Sequence, residues 1–163
     1  MTKEIKLTNS DLVAIVNDEH IDIVKDEKWY LVTNRNTNYA CACMNNTSVY
    51  MHHFLFGKGM FDHKDHNGLN NQTSNVRQTN HSLNGANQRK RIGCLSTYKG
   101  VTFDKRRNHW TASLTKNGKR IHLGCFDTQE EAALAYNENA PRYFGEHALL
   151  NTIALAKVKG IEL

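Results

Sequence analysis

The chain has little of several residue types that mark particular protein classes. It contains one proline and no low-complexity run, which argues against extended disorder. Its four cysteines form no Cys-x-x-Cys pair, so we expect no structural zinc. No apolar run approaches the length of a membrane span, and no signal peptide opens the chain. The sequence therefore predicts an intracellular protein without a membrane partner.

Positive charge is concentrated in the middle of the chain. The 163 residues carry a net charge of +5, yet residues 85–126 hold ten Lys and Arg against a single Asp. The segments on either side are close to neutral or acidic. A block this basic is typical of a surface that binds phosphate groups, although a solvated basic face would have the same composition.

The first half of the chain shows the pattern of strands and turns. Residues 1–57 predict an antiparallel meander from Trp29 to Phe56, and residues 19–27 are the one segment there that could form a helix. Residues 58–84 predict a strand that ends at His63, a loop, a second short strand and a helix.

The second half alternates cleanly between apolar and polar residues. Residues 96–126 predict three strands, with Asn117-Gly118 as a hairpin turn. Thr128 and Glu131 predict a capping box that opens a helix, and Pro141 should kink or end that helix. One apolar helix covering one face of a three-stranded sheet leaves the other face for water or a ligand.

The residues most informative about chemistry are Asp62, His63, Asn75 and Asn84. Asn75 lies 12 residues after His63, and Asn84 lies nine residues further on. The oxygens of Asp62 and Asn84 are hard ligands for one divalent cation, Mg²⁺ or alternatively Mn²⁺. An imidazole such as His63 can take the proton of a water that attacks a phosphodiester, while Asn75 accepts from its other ring nitrogen.

The segment Val49–Asn84 resembles the HNH family of homing endonucleases, in its phage and intron-type nicking branch. The likeness rests on the lead-in Val49-Tyr-Met-His-His-Phe-Leu-Phe-Gly57, on the core Asp62-His63-x-Asp65-x-Asn67-x-Leu69-x-Asn71, and on the later Asn75 and Asn84. It implies a ββα-metal nuclease fold. In that fold Asp62 and Asn84 bind the metal, His63 is the general base, and Asn75 orients His63.

Two positions depart from the HNH pattern. His66 stands where the family usually has Gly, and His53 stands where Arg is common. His52 lies at a recurrent histidine of the family. His52 and His53 are expected on opposite faces of a strand, so we expect one of them to be packed, and either is a candidate DNA contact.

Residues 96–151 resemble the DNA-binding domain of the plant Apetala and ethylene-response factors. The likeness rests on Tyr98-Lys-Gly-Val101, Trp110-Thr-Ala-Ser, Leu123-Gly-Cys-Phe-Asp127, Glu130-Glu-Ala-Ala-Leu-Ala-Tyr136 and Leu150-Asn151. It implies a three-stranded antiparallel sheet, packed on one helix, that lies in the major groove of double-stranded DNA. The predicted contacts on and around that sheet are Lys99, Thr102, Arg106, Arg107, Ser113, Thr115, Arg120 and His122.

Together these patterns predict an α+β protein with residues 1–84 as a β-rich segment plus HNH motif (49–84) and residues 96–151 as the DNA-binding domain. Residues 85–95 would form a flexible basic linker along the DNA, with Arg89, Lys90 and Arg91 as contacts, and residues 152–163 a tail.

Three functions compete at this point. The first is a metal-dependent DNA endonuclease in the cytoplasm of a bacterial or phage-infected cell, acting as a monomer or weak homodimer. The second is a DNA-binding regulator in which the HNH-like segment is only a scaffold. The third is an RNA-binding module, which is disfavoured because the sheet shows no aromatic stacking face.

Overall fold

The computed structural model describes residues 1–35, 37–90 and 93–153. The chain forms two compact units, which divide between Asn80 and His81. Both contain antiparallel sheets and few helices, in agreement with the predicted α+β class. The predicted DNA contact Arg91 and residues 154–163 of the predicted tail lie outside the described residues.

The first unit begins with a hairpin and continues as a three-stranded meander. Its elements are, in chain order, strands β1 (Thr2–Leu7) and β2 (Ser10–Asn17), helix α1 (Ile21–Val24), strands β3 (Tyr30–Asn34), β4 (Thr37–Met44) and β5 (Thr47–Tyr50), helix α2 (Met51–Phe56), and strands β6 (Phe61–His63) and β7 (Val76–Gln78). The sheets are β1-β2, β3-β4-β5 and β6-β7. Their core includes Trp29, which is fully buried and donates from Nε1 to the carbonyl of Val24 at 2.8 Å.

Helix α2 corrects the prediction that a strand runs to Phe56. Strand β5 ends at Tyr50, and the helix that follows ends at Gly57, whose φ is 86°. Met51 is buried in the core, with Phe54 and Leu55 packed against it. This spacing of three and four residues is the helical period, and it outweighs the strand preference of the aromatic residues. The histidines at positions 52 and 53 are therefore neighbours on a helix, not residues on opposite faces of a strand.

The second unit is a three-stranded antiparallel sheet covered by one long helix. Its elements are helix α3 (His81–Asn87), strands β8 (Val101–Asp104), β9 (His109–Lys116) and β10 (Lys119–Phe126), and helix α4 (Gln129–Phe144). Strand β9 is central, and its buried Ala112 and Leu114 lie in the clusters that α4 closes. The residues predicted as a linker begin inside α3, because Ala86 belongs to this core.

The turn and cap signals of the second unit form as predicted. Asn117 and Gly118 both have positive φ, 51° and 77°, as a two-residue hairpin turn requires. The hydroxyl of Thr128 accepts from the backbone N–H of Glu131 at 3.2 Å, and the Glu131 carboxylate accepts from the N–H of Thr128. Pro141 does not end α4, which continues to Phe144. A proline in the last turn removes few backbone hydrogen bonds, so the helix tolerates it there.

Gly100 offers a direct test of the packing of the second unit. Its φ is 75°, and a Cβ at this position would lie 2.1 Å from Cδ2 of Tyr136. Gly118 has nearly the same φ, but nothing lies within 4 Å of its Cβ position. Gly100→Ala should therefore lower the free energy of unfolding by about 1–3 kcal/mol more than Gly118→Ala, measured by urea unfolding. Equal losses would show that backbone strain alone decides both.

Candidate active site and nucleic-acid interface

Asp62 and Arg77 form a buried ion pair across strands β6 and β7. The two residues are opposite each other in the register. Nε and Nη2 of Arg77 donate to Oδ2 of Asp62 at 3.2 and 2.9 Å, and each side chain is only 9% exposed. Arg77 was not among the predicted site residues. Its opposite charge and its place on the second strand of the motif were the available signals.

His63 follows Asp62 on β6 and lies in an aromatic pocket of the first unit. The centroid of its ring is 5.9 Å from that of Tyr39 and 5.2 Å from that of His52. Burial lowers the pKa of His63 below its usual value, whereas the Asn71 amide and the carboxylates of Asp65 and Asp62 oppose the shift. The imidazole is therefore held neutral near pH 7, the form that can accept a proton.

Asn75 holds the loop that joins β6 to β7. Its Oδ1 accepts from the backbone N–H of Asp65 at 3.1 Å, and its Nδ2 donates to Oδ1 of Asp65 and to the carbonyl of Asn70. Burial opposes ionisation of Asp65, but hydrogen bonds from Asn67, Asn70 and Asn75 hold its pKa below its ordinary value. These contacts make Asn75 a clamp on the loop, and its predicted role of orienting His63 stays a prediction.

The backbone conformation at His66 explains why the HNH pattern usually has Gly at this position. Its φ is 63°, in the left-handed region that glycine adopts without a steric cost. Two residues later, Gly68 packs so closely on β4 that a Cβ would lie 2.5 Å from the carbonyl of Asn38. The loop backbone also bonds to β2, through Ile15 N–H to the carbonyl of Leu69. The loop is thus fixed on both sides.

His52 is the most strongly perturbed titrating group of the first unit. It is buried on α2, where its ring stacks on Tyr50 at 5.6 Å and contacts that of His53 at 4.3 Å. Burial, together with the neighbouring His63 and His53, lowers its pKa from 6.5 to about 3. His52 is therefore a neutral packed ring. Its predicted DNA contact, and that of His53, stay predictions.

This shift predicts an acid-sensitive first unit. The unfolded imidazole of His52 binds a proton below about pH 6.5, whereas the folded one resists protonation until about pH 3. Stability should therefore fall as the pH is lowered through 6.5. Between pH 7 and pH 5, the free energy of unfolding should fall by about 2 kcal/mol less for His52→Phe than for wild type, as measured by urea unfolding. The control His122→Phe, which changes an exposed histidine, should show the same fall as wild type. Parallel curves for wild type and His52→Phe would contradict this.

Asn84, the second predicted metal ligand, lies on α3 in the second unit. Its side chain is half-buried, and its carbonyl accepts from the N–H of Gln88 at 3.1 Å. Asp62, His63 and Asn75 all belong to the first unit. The structure thus brings three of the four predicted residues together, and the sharing of one ion by Asp62 and Asn84 stays a prediction.

The face of the second unit's sheet that α4 does not cover carries residues predicted to contact DNA. The register pairs Thr102 with Thr111, Ser113 with His122, and Thr115 with Arg120. Directly paired residues point to the same side, so these side chains share the face opposite α4. A bulge between His122 and Gly124 adds Cys125, which pairs with Thr111 and was not predicted.

The predicted basic contacts have different surroundings. Arg106 and Arg107 are exposed in the β8–β9 turn, where their N–H groups donate to Asp104, and Arg89 is exposed. Lys90 donates from Nζ to the carbonyl of Val101 at 3.1 Å. The ammonium of Lys99 is directed at α3, where it contacts three carbonyls. The charged groups of the two lysines therefore already bind the protein, as does that of Arg120, whose Nε donates to Oγ of Ser113 at 3.0 Å.

Residues 1–35, 37–90 and 93–153 contain neither a cluster of metal-binding side chains nor a helix that could span a membrane. No cluster of three His, Cys, Asp or Glu side chains there is arranged to hold a metal ion. None of the helices in these ranges is long and apolar enough to cross a membrane.

Two similarities to known proteins are consistent with these features, one for the sheet of the second unit and one for the chain that includes the β6–β7 loop. The AP2 domain model matches residues 96–146. An AP2-like ethylene-responsive transcription factor of Arabidopsis thaliana is 40% identical over 36% of this chain and 12% of its own length. An APETALA2-like protein of Oryza sativa is 41% identical over 34% of this chain and 13% of its own length. Each of these plant proteins is thus similar to only about a third of this chain.

A further relative extends over most of the chain. An uncharacterized HNH endonuclease of Acanthamoeba polyphaga mimivirus is 33% identical over 86% of this chain and 75% of its own length. No solved structure gives a significant match. The chain therefore belongs to the HNH endonuclease family and carries an AP2 domain in its second unit, as the resemblances predicted.

Proposed function

We propose that this protein is a metal-dependent DNA endonuclease that hydrolyses a phosphodiester bond with His63 as general base. The observation that carries the proposal is the position of His63, a buried neutral imidazole next to the carboxylate of Asp62, at the start of a loop fixed by hydrogen bonds. Membership in the HNH endonuclease family supports the same reaction class.

The residues of the β6–β7 segment would have different roles in the reaction. His63 accepts the proton of the attacking water at a ring nitrogen. The pocket formed with Tyr39 and His52 keeps that ring neutral and fixes its plane. Asn75 holds the loop in place through Asp65, so that the general base meets the phosphate in one geometry.

The residues present fit a divalent cation. Asp62 offers a carboxylate and Asn84 an amide oxygen, both hard ligands. The carboxylate of Asp62 already pairs with one positive charge, that of Arg77. When bound, Mg²⁺ or Mn²⁺ would supply the charge that stabilises the phosphate as it reacts. The ββα-metal arrangement is part of this proposal, and the order strand, loop, strand, helix supports it.

The second unit would deliver this chemistry to double-stranded DNA. Its exposed face presents Thr102, Thr115, Arg120 and His122, with Arg106 and Arg107 at the adjoining turn. Arginine can bond guanine edges in the major groove, and hydroxyl groups can bond phosphates. A chain with one such centre cuts one strand per visit, so we expect a nicking monomer or weak homodimer.

The experiment starts from DNA that the protein selects for itself. Duplexes bound from a random library are recovered without Mg²⁺ and then incubated with the protein and Mg²⁺. We expect nicked duplex that disappears when the metal is chelated. Selected duplexes that are bound tightly and never nicked, with Mg²⁺ or with Mn²⁺, would overturn the proposal.

One observation favours a second function, a DNA-binding regulator with an HNH-like scaffold. The buried pair of Asp62 and Arg77 would stabilise the β6–β7 hairpin even in a protein without catalysis. In that case selected DNA would be bound and left intact, and Asp62 would matter for folding alone.

A further inference from the structure

Helix α3 is built into the second unit by contacts on both sides. Leu83 and Ala86 pack with Leu114 and Tyr136 in the core. At its start, the hydroxyl of Ser82 accepts from the N–H of Asn117 at 3.1 Å. At its end, the carbonyl of Ala86 accepts from the N–H of Leu149 at 3.1 Å. A helix of seven residues is not stable alone in water, so these contacts determine that α3 forms and where it lies.

Lys99 makes the most concentrated of these contacts. Its Nζ donates to the carbonyl of Gly85 at 3.0 Å and to those of Ala86 and Gln88 at 2.5 Å each. These carbonyls belong to the last turn of α3 and the residue after it, where the helix leaves acceptors without an internal donor and where its dipole favours a cation. An ammonium group has three hydrogens, and here each has an acceptor.

The backbone of Lys99 is held as firmly as its side chain. The N–H of Lys99 donates to Oδ1 of Asn151 at 2.7 Å, and Nδ2 of Asn151 donates back to the carbonyl of Lys99 at 3.1 Å. The side chain of Asn137 on α4 in turn holds the backbone of Asn151. Its Nδ2 donates to the carbonyl of Asn151, and its Oδ1 accepts from the N–H of Asn151, each at 2.8 Å. The lysine therefore projects from a fixed point of the AP2 fold towards α3.

From these contacts we propose that Lys99 is a positioning residue, which fixes the helix carrying Asn84, and that it is not a DNA contact. This rests on the proposed function, in which Asn84 is a metal ligand. The contacts of α3 within the second unit would then set how firmly Asn84 is held. Contact of Lys99 with a phosphate would require breaking at least one of its three hydrogen bonds.

The test compares Lys99→Met with Lys119→Met, which removes an exposed lysine of strand β10 in the same unit. Amide exchange of Gln88, whose N–H bonds to the carbonyl of Asn84, reports on α3 without any need for activity. We expect Lys99→Met to speed this exchange about tenfold or more and Lys119→Met to leave it unchanged. Lys99→Arg, which keeps a cation with several donors, should restore most of the protection.

Nicking of a selected duplex supplies the second readout. Lys99→Met should lower kcat and raise the Mg²⁺ concentration needed for half-maximal rate, while the Kd for DNA and its salt dependence stay at the wild-type values. A weaker Kd, with the salt slope reduced by about one and α3 exchange unchanged, would identify Lys99 as a phosphate contact and overturn the proposal.

The two readouts also separate this inference from the proposed function. If wild type binds its selected DNA and never nicks it, the endonuclease proposal fails, and exchange at Gln88 alone decides the role of Lys99. If wild type nicks and Lys99→Met nicks with the same kcat and the same Mg²⁺ dependence, the positioning role is overturned. Should Lys99→Met not fold, Lys99→Gln is read in the same way, because it retains one amide donor group.

Discussion

His63→Ala should reduce the rate of DNA nicking by about 10²–10⁴-fold, the usual contribution of a general base. The physical reason is that the buried imidazole, whose pKa is lowered by burial, would as the proposed general base accept the proton of the attacking water. DNA affinity should stay unchanged, because the substitution lies in the first unit and the reading face belongs to the second. Nicking rate and Kd are measured on the same selected duplex.

The matched control is His81→Ala, which removes an exposed histidine outside the aromatic pocket. It should nick at close to the wild-type rate. A His63→Ala protein that folds, binds DNA and nicks normally would eliminate His63 as the base. Loss of nicking together with loss of folding would be resolved by His63→Gln, which keeps a polar side chain of similar length.

Asp62→Asn should abolish nicking and also destabilise the protein by about 3–5 kcal/mol, because it leaves Arg77 as a buried cation without its carboxylate. These effects have different causes, one catalytic and one structural. Circular dichroism in urea measures the stability, and nicking at a temperature where both proteins are folded measures the activity.

The double variant Asp62→Asn with Arg77→Gln separates the two causes. Removing both charges should recover most of the lost stability, since no unpaired charge stays buried, while nicking stays absent. A double variant that regains both stability and nicking would show that Asp62 serves the hairpin alone. If the free energy of unfolding of the single variant Asp62→Asn is unchanged, the burial of Arg77 does not depend on the carboxylate of Asp62.

The three-stranded sheet and the long helix of the second unit could be predicted from sequence. Its strands alternate strictly, Asn117-Gly118 marks one turn, and Thr128 with Glu131 marks the start of α4. These signals depend on residues that are close together in the sequence, so tertiary contacts do not override them. Of the two predicted effects of Pro141, ending the helix is wrong, because the proline lies in the last turn and α4 continues to Phe144, while a kink stays a prediction.

The first unit was harder because its decisive features depend on tertiary contacts. Helix α2 was predicted as a strand, since a short aromatic segment fits both and only burial of Met51 in the core selects the helix. The ion pair of Asp62 with Arg77 follows from the register of β6 and β7, which cannot be read from the sequence. The neutral state of His52 likewise needs the rings that surround it.

The position of α3 is the most consequential difference. The sequence motif treats residues 49–84 as one piece, whereas the compact units divide before His81 and leave Asn84 with the AP2 domain. The cause is physical: Leu83 and Ala86 find their apolar partners in the second core. A linker predicted from charged and glycine residues at 85–95 therefore starts within a packed helix.

The most direct test of the account is whether one cation binds at both Asp62 and Asn84. Mn²⁺ is titrated into the His63→Ala protein bound to its selected duplex, and paramagnetic broadening of the backbone amides is followed by NMR. We predict that the amides of Asp62 and Asn84 broaden together, at one Mn²⁺ per chain, and that adding Asp62→Asn removes both effects. Broadening confined to one of the two amides, or unchanged by Asp62→Asn, would contradict the shared ion on which the nuclease proposal depends.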